Sequence, residues 1–210
     1  WSQDWSAPAP LIARPSPFYQ LADAHDGAPG TIKAFRDPAY FRDPADGAEY
    51  LAFTASLAGS SSAFNGAFGL AVKQAGDWQL LPPIITADGV INELERAHLV
   101  YHEGRYYAFW STQTHTFAHH LRHAPTGLYG MVADSLLSEY RPLNGSGLVL
   151  ANPPGEPQQT YSWFVDAGLE VCSFVDMHGL KGAPIPTEPA AANAAFGGVP
   201  APLLKLEING

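Results

Sequence analysis

The sequence predicts an all-β fold, and three observations carry that prediction. Gly (20) and Pro (19) are spread along the 210 residues together with 12% aromatic side chains, a composition of many short strands joined by turns. Short apolar and aromatic runs recur at close spacing, each bounded by Gly, Pro, Asp or Asn. No helical stretch is present that could cover a sheet, so sheets must pack on one another as a propeller or a sandwich. With 46% hydrophobic residues the chain can bury a sizeable core.

Residues 1–34 are rich in Pro, Ala, Gly and Asp and read as an irregular arm packed against the strands downstream of it, with one short strand near Phe18–Leu21. From residue 35 to 210 the chain reads as successive strands at Tyr50–Phe53, Phe68–Val72, Trp78–Ile85, Ala97–Tyr101 and Tyr106–Trp110. The clearest hairpin joins "HLVY" to "RYYAFW" through His102, Glu103 and Gly104, where Gly can take the positive φ that the turn needs. A second runs from Tyr161 to Asp176 and turns at Ala167 and Gly168. Further strands are expected at Leu128–Val132, Leu148–Leu150 and Leu203–Ile208, and "GAPIPTEPAAANAAFGGVPAP" is expected to be a loop. No strict repeat counts the units.

Eleven basic against 20 acidic residues give a formal charge of −9, which repels phosphate backbones and anionic headgroups and argues against nucleic-acid and membrane partners. Cys172 stands alone, so no intrachain disulfide forms, and its apolar run predicts a buried, inert thiol. No stretch approaches the roughly 20 apolar residues that span a bilayer. The chain begins at Trp1 without an initiator Met, so a section upstream is expected to have been removed.

Two stretches carry candidate chemistry. In "INELERAHLVYHEGRYYAFW", Glu93 and Glu95 are two apart, so on an extended segment they share a face and Leu94 turns away. Carboxylates that close raise each other's pKa where water is excluded, which is how one stays protonated near neutrality and serves as a general acid. Arg96 follows and could hold a carboxylate in place; a solvated, charged strand entrance is the alternative. The other stretch, "FRDPAYFRDPADG", holds Arg-Asp-Pro twice. Asp-Pro is ordinary turn chemistry, and the copy at Arg42–Pro44 reads as a hairpin loop. The copy at Arg36–Pro38 sits at a strand start, where an Arg-Asp pair buried in the protein needs a reason.

These stretches, followed by "GLAV", "WQLLPPII", "GLYGMVADS", "GSGLVLANP" and the "TYSWF" to "SFVD" hairpin, resemble glycoside hydrolase family 68: levansucrases, inulosucrases and bacterial β-fructofuranosidases. The resemblance implies a five-bladed β-propeller with its site in an axial funnel, and retaining chemistry on sucrose or related β-fructofuranosides. It places the transition-state stabiliser at Asp37 with Arg36 beside it, and the acid/base at Glu95. Glu93 and Arg96 match sugar-contacting neighbours, and Tyr161 matches a tyrosine that supports the carboxylates. Gln113 stands where the family shows Arg or His, and "FTAS", with Thr54 and Ser56, replaces "FEAN". Both changes imply weaker hydrogen bonding near the leaving group and acceptor, which favours hydrolysis or short transfer products over levan synthesis.

The family's nucleophilic Asp has no counterpart here. Asp4 in "WSQDWSAP" lacks a preceding strand that would anchor it. The expectation is therefore a companion polypeptide carrying the N-terminal blades and the nucleophile, the two forming a heterodimer. The resemblance also implies a secreted or periplasmic enzyme. No cofactor is expected, and Asn92, in place of an acid, argues against a structural calcium ion. The cluster His115, His119, His120 and His123 reads as surface histidines rather than a metal site, and Trp163, Phe164 and Phe174 as core. Two rival readings are a propeller glycosidase on another furanoside and a non-catalytic carbohydrate-binding piece.

Overall fold

Three antiparallel sheets succeed one another along the chain in a computed structural model that describes residues 6–7, 9–12, 16–22 and 32–208. The first is β1 (Phe35–Arg42), β2 (Glu49–Ser56), β3 (Asn65–Gln74) and β4 (Asp77–Asp88), in that spatial order. The second runs β5 (Glu95–His102), β6 (Arg105–Thr112), β7 (Gly127–Ala133) and β8 (Arg141–Pro142), with β9 (Leu148–Ala151) also on β7. In the third, β10 (Thr160–Val165), β11 (Glu170–Met177) and β12 (Phe196–Pro200) are joined by β13 (Leu204–Lys205) on β11. The opening strands of neighbouring sheets meet, β1 on β5 and β5 on β10.

Local chemistry accounts for the hairpins. Both residues of the Glu103–Gly104 turn have positive φ (47° and 81°), the two-residue geometry whose twist matches the strands it joins. Ala75 and Gly76 do the same between β3 and β4, at φ 50° and 92°. The outer strand β4 carries Pro82 and Pro83, tolerated because an edge strand need not donate on its free side, and they fall where the pairing skips between Phe68 and Leu70. Gly69, opposite Phe53, is obligatory for packing, since a Cβ there would lie 2.3 Å from the Phe53 ring.

Two apolar seams lie between the sheets and a third lies on the first sheet. Phe68, Leu70, Leu94, Trp110 and Tyr129 fill the first seam; Phe109, Leu128, Trp163, Val165 and Val171 fill the second. In the third, Tyr19 from the N-terminal segment packs with Leu51 and Phe53, donates to the Leu81 carbonyl (2.6 Å) and accepts from the Leu70 amide (3.1 Å). This arm segment contributes an isolated bridge, Tyr19 to Leu57, rather than a strand.

Several sequence expectations are corrected. Within the stretch expected to be a loop, Pro189–Ala195 forms a short helix, α1, capped by the Glu188 carboxylate accepting from the Ala191 amide (2.7 Å), and β12 comes directly after it. Proline at the first helical position and an acidic cap were the signals. Cys172 is exposed because strand alternation turns Val171 inward and its neighbour out. Phe164 is likewise exposed, with one face stacked on His98 at 4.5 Å, whereas Trp163 is buried. The β10–β11 turn takes its positive φ at Leu169 rather than at Gly168, and the last strand is only Leu204–Lys205. The Arg42–Pro44 copy does form a turn, but Asp43 is also buried and accepts from the Tyr106 hydroxyl (2.7 Å), tying the first sheet to the second.

Candidate active site

The first strand of each sheet breaks its pairing at the same place. In β1, Asp37 and Pro38 oppose the single residue Phe53 between the pairs Arg36–Thr54 and Ala39–Ala52. In β5, Arg96 and Ala97 fall between the pairs Glu95–Ser111 and His98–Phe109, and in β10, Ser162 and Trp163 fall between Tyr161–Phe174 and Phe164–Cys172. Each is a β-bulge whose first residue is left-handed: Asp37 at φ 55°, Arg96 at 54°, Ser162 at 61°. Non-glycine residues in that region cost on the order of 1–3 kcal/mol each, a strain that concentrates at functional sites.

The bulges sort the chemical groups into two sets. Arg36, Glu95 and Tyr161 each precede a left-handed residue, and they meet. Arg36 pairs with Glu93, its Nη2 lies 3.9 Å from Glu95 Oε1, and its Nε is 3.4 Å from Asp37 Oδ2. The Tyr161 hydroxyl donates to Glu95 Oε2. The second set, Asp37, Arg96 and Ser162, lines a cavity of about 500 Å³ together with Trp163 and Phe164. Glu93, Glu95, Gln113, His115 and Tyr161 line a smaller one of about 120 Å³. All seven residues singled out from the sequence thus gather around the Arg36 guanidinium and the two cavities beside it, with Asp37 facing the larger and Glu95 the smaller.

Geometry refines what spacing had implied. Glu95 opens β5 and Glu93 precedes the strand, with Leu94 fully buried between them. The cation that meets the carboxylates is Arg36, not Arg96. The Arg36–Asp37 pair is only half-buried, at 40% and 32% side-chain exposure, so its reason is the cavity rather than the interior. Burial pushes the Glu93 carboxyl up to about 7, against the opposing charge of Arg36 and with the added repulsion of Glu95 and Asp37. A carboxyl so placed can carry a proton near neutrality. The Tyr161 phenol is raised as well, by burial and by the Glu95 charge it faces, and it stays a donor.

The hydroxyls of Thr54 and Ser56 are both engaged within the chain. Ser56 Oγ accepts from the Ala34 amide (2.9 Å), while Thr54 Oγ1 accepts from the Arg96 amide (2.9 Å) and faces Asp37 Oδ2 at 3.5 Å. Among residues the sequence did not single out for the site, Ser111 and Thr112 line the smaller cavity, and the buried Thr112 hydroxyl has no partner among the described residues. His115 also lines it, at its rim, for all four histidines of the cluster are exposed. Its pKa is lowered by burial and Arg122 and partly restored by Glu95. His98 is buried behind the site: Nε2 accepts from the Val165 amide (2.9 Å), so Nδ1 carries the proton toward the Arg96 carbonyl (2.9 Å). Burial depresses its pKa to about 4, which keeps it neutral. Asn92 donates to the Ala63 carbonyl (2.9 Å). Asp4 lies outside the described residues.

Comparison with known proteins places this arrangement. The chain is 37% identical to a levansucrase of Rahnella aquatilis over 202 residues, covering 84% of this chain and 46% of that one. It is 34% identical to a levansucrase of Zymomonas mobilis over 212 residues, covering 88% and 48%. The chain therefore spans about half the length of the curated relatives it matches. Among solved structures, an inulosucrase from Halalkalicoccus jeotgali bound to kestose superposes with a TM-score of 0.85 at 39% identity, over 95% of this chain and 53% of that one. A levansucrase from Gluconacetobacter diazotrophicus gives 0.74 at 26%, over 95% and 47%. A levansucrase/invertase profile matches residues 61–210. With the three bulged strands converging on one carboxylate cluster, and the profile running from the first sheet through the third, the chain belongs to the levansucrase/invertase family.

Proposed function

We propose that this chain supplies the stabilising and proton-transferring half of a retaining enzyme that acts on sucrose or a related β-fructofuranoside. The observation that carries the reading is the Arg36 guanidinium spanning Asp37, Glu93 and Glu95, with the Tyr161 hydroxyl on Glu95. In the reaction, Glu95 protonates the departing glucose and then takes a proton from water or a sugar hydroxyl. Asp37 grips fructosyl hydroxyls and opposes the positive charge that develops on the ring. Arg36, Glu93, Arg96 and Gln113 contact the sugars, and Tyr161 holds Glu95 in orientation. The nucleophilic carboxylate comes from the part of the family fold that residues 35–210 do not span, in our reading on a companion polypeptide that closes a five-bladed propeller. Product partition leans to hydrolysis or short transfer because Gln113 replaces a charged acceptor contact. The assembled enzyme acts outside the cytoplasm.

A denaturing gel of the native preparation tests the companion, which predicts a second band. Incubation of that preparation with sucrose tests the reaction: glucose and free fructose should accumulate. Release from an arabinoside instead would move the substrate to another furanoside, and no release from any furanoside would leave a carbohydrate-binding piece.

A further inference from the structure

The three bulges are tied to one another by a device that repeats. Thr54 on β2 pairs with Arg36, the residue before the first left-handed position, and Ser111 on β6 pairs with Glu95, the residue before the second. These are equivalent places in successive sheets. From each, the hydroxyl reaches across to the bulge of the next sheet. Thr54 Oγ1 accepts from the amide of Arg96, the left-handed residue of β5, at 2.9 Å, and Ser111 Oγ accepts from the amide of Trp163, beside the left-handed residue of β10, at 3.0 Å. Both hydroxyls are fully buried. The equivalent place in the third sheet is Phe174, opposite Tyr161, which has no hydroxyl to offer.

We infer that Thr54 and Ser111 are positioning residues: each holds the next sheet's bulge in place, so that Arg36 with Asp37, Glu95 with Arg96, and Tyr161 with Ser162 meet at one point. A bulge frees an amide from the sheet ladder, and a buried amide without an acceptor is costly. The hydroxyl of the preceding sheet supplies that acceptor. It also fixes how far one first strand stands from the next, because a hydrogen bond tolerates only a few tenths of an ångström. Each hydroxyl also directs its own hydrogen at the site: Thr54 toward Asp37 Oδ2 and Ser111 toward the Trp163 carbonyl, each at 3.5 Å. The sense in which these residues serve catalysis rests on the fructoside reading; the tie itself does not.

The test is residue-resolved amide exchange in the intact protein carrying Thr54→Val, which keeps the shape and removes the acceptor. The Arg96 amide should exchange roughly ten-fold faster or more, with amides far from the bulge unchanged, and Thr54→Ser should restore it. Where fructosides are turned over, Thr54→Val should lower kcat more than it raises KM, and Thr54→Ser should rescue kcat. Unchanged protection of Arg96 in folded Thr54→Val overturns the inference. Should Thr54→Val fail to fold, Ser111→Ala with the Trp163 amide as reporter decides in the same way. Lack of turnover by the unmodified enzyme would count against the proposed reaction and leave the amide result standing.

Discussion

Glu95 receives a hydrogen bond from Tyr161 on one oxygen and faces Arg36 across 3.9 Å on the other, so its orientation is held from two sheets. Tyr161→Phe removes one of those restraints and keeps the ring; the expected result is a kcat lower by about ten-fold with KM little changed, from steady-state rates on sucrose. Glu93→Gln and Glu95→Gln separate the two carboxyls. The first should weaken substrate binding and the second should abolish release, and the reverse pattern would assign the proton to Glu93. The sequence made these residues legible because the family motif names them and because two carboxylates on a short segment are conspicuous. It could not show that Arg36, 57 residues upstream of Glu93, is the cation they share, nor that His98 and Thr54 stand behind them. Those contacts are made between sheets, and spacing along one strand carries no information about them.

Strands and tight turns were legible from apolar runs bounded by Gly, Pro and Asp, and β2, β3, β5 and β6 formed where those runs lie. The bulges were not, because "FRDP", "ERAH" and "YSWF" share no residue type at the left-handed position. What repeats is a backbone conformation, with an opposite hydroxyl in the first two sheets, so the units are countable only in three dimensions. Helix α1 was hidden by the Pro, Ala and Gly around it, a composition that serves loops equally well. Turn chemistry gives a stability prediction at this level. Ala75 sits at φ 50° in the β3–β4 turn, where Asn is tolerated far better than Ala. Ala75→Asn should stabilise the protein by about 0.5–1 kcal/mol, raising the thermal midpoint by roughly 1–4 °C. Scanning calorimetry or a circular-dichroism melt reads it directly.

Across the whole molecule, two buried ionisable groups pull stability in opposite directions with pH. Glu93 has a raised carboxyl, so its contribution is full below about 4.5 and is lost as pH rises through about 7. His98 has a depressed imidazole, so its contribution is full above about 6.5 and is lost as pH falls through about 4. Each shift corresponds to something on the order of 3 kcal/mol at its limit. Between pH 4.5 and 6.5 the two slopes oppose each other. Glu93→Gln should therefore make stability rise with pH in that window, and His98→Gln should make it fall, as denaturant titrations at several pH values would record; identical slopes in the two variants would contradict this assignment. The sheets, their order and the seams between them are the half of the family fold that this chain covers.

Glu95 as proton donor to a leaving sugar is the central claim, and substrate choice tests it. Sucrose needs its glucose oxygen protonated, whereas a β-fructofuranoside with an acidic phenol as leaving group does not. In a preparation that turns over sucrose, Glu95→Gln should cut glucose release by about 10²–10⁴-fold while the first turnover of the phenolic fructoside is nearly preserved. Equal loss on both substrates, or near wild-type release from sucrose, would contradict it.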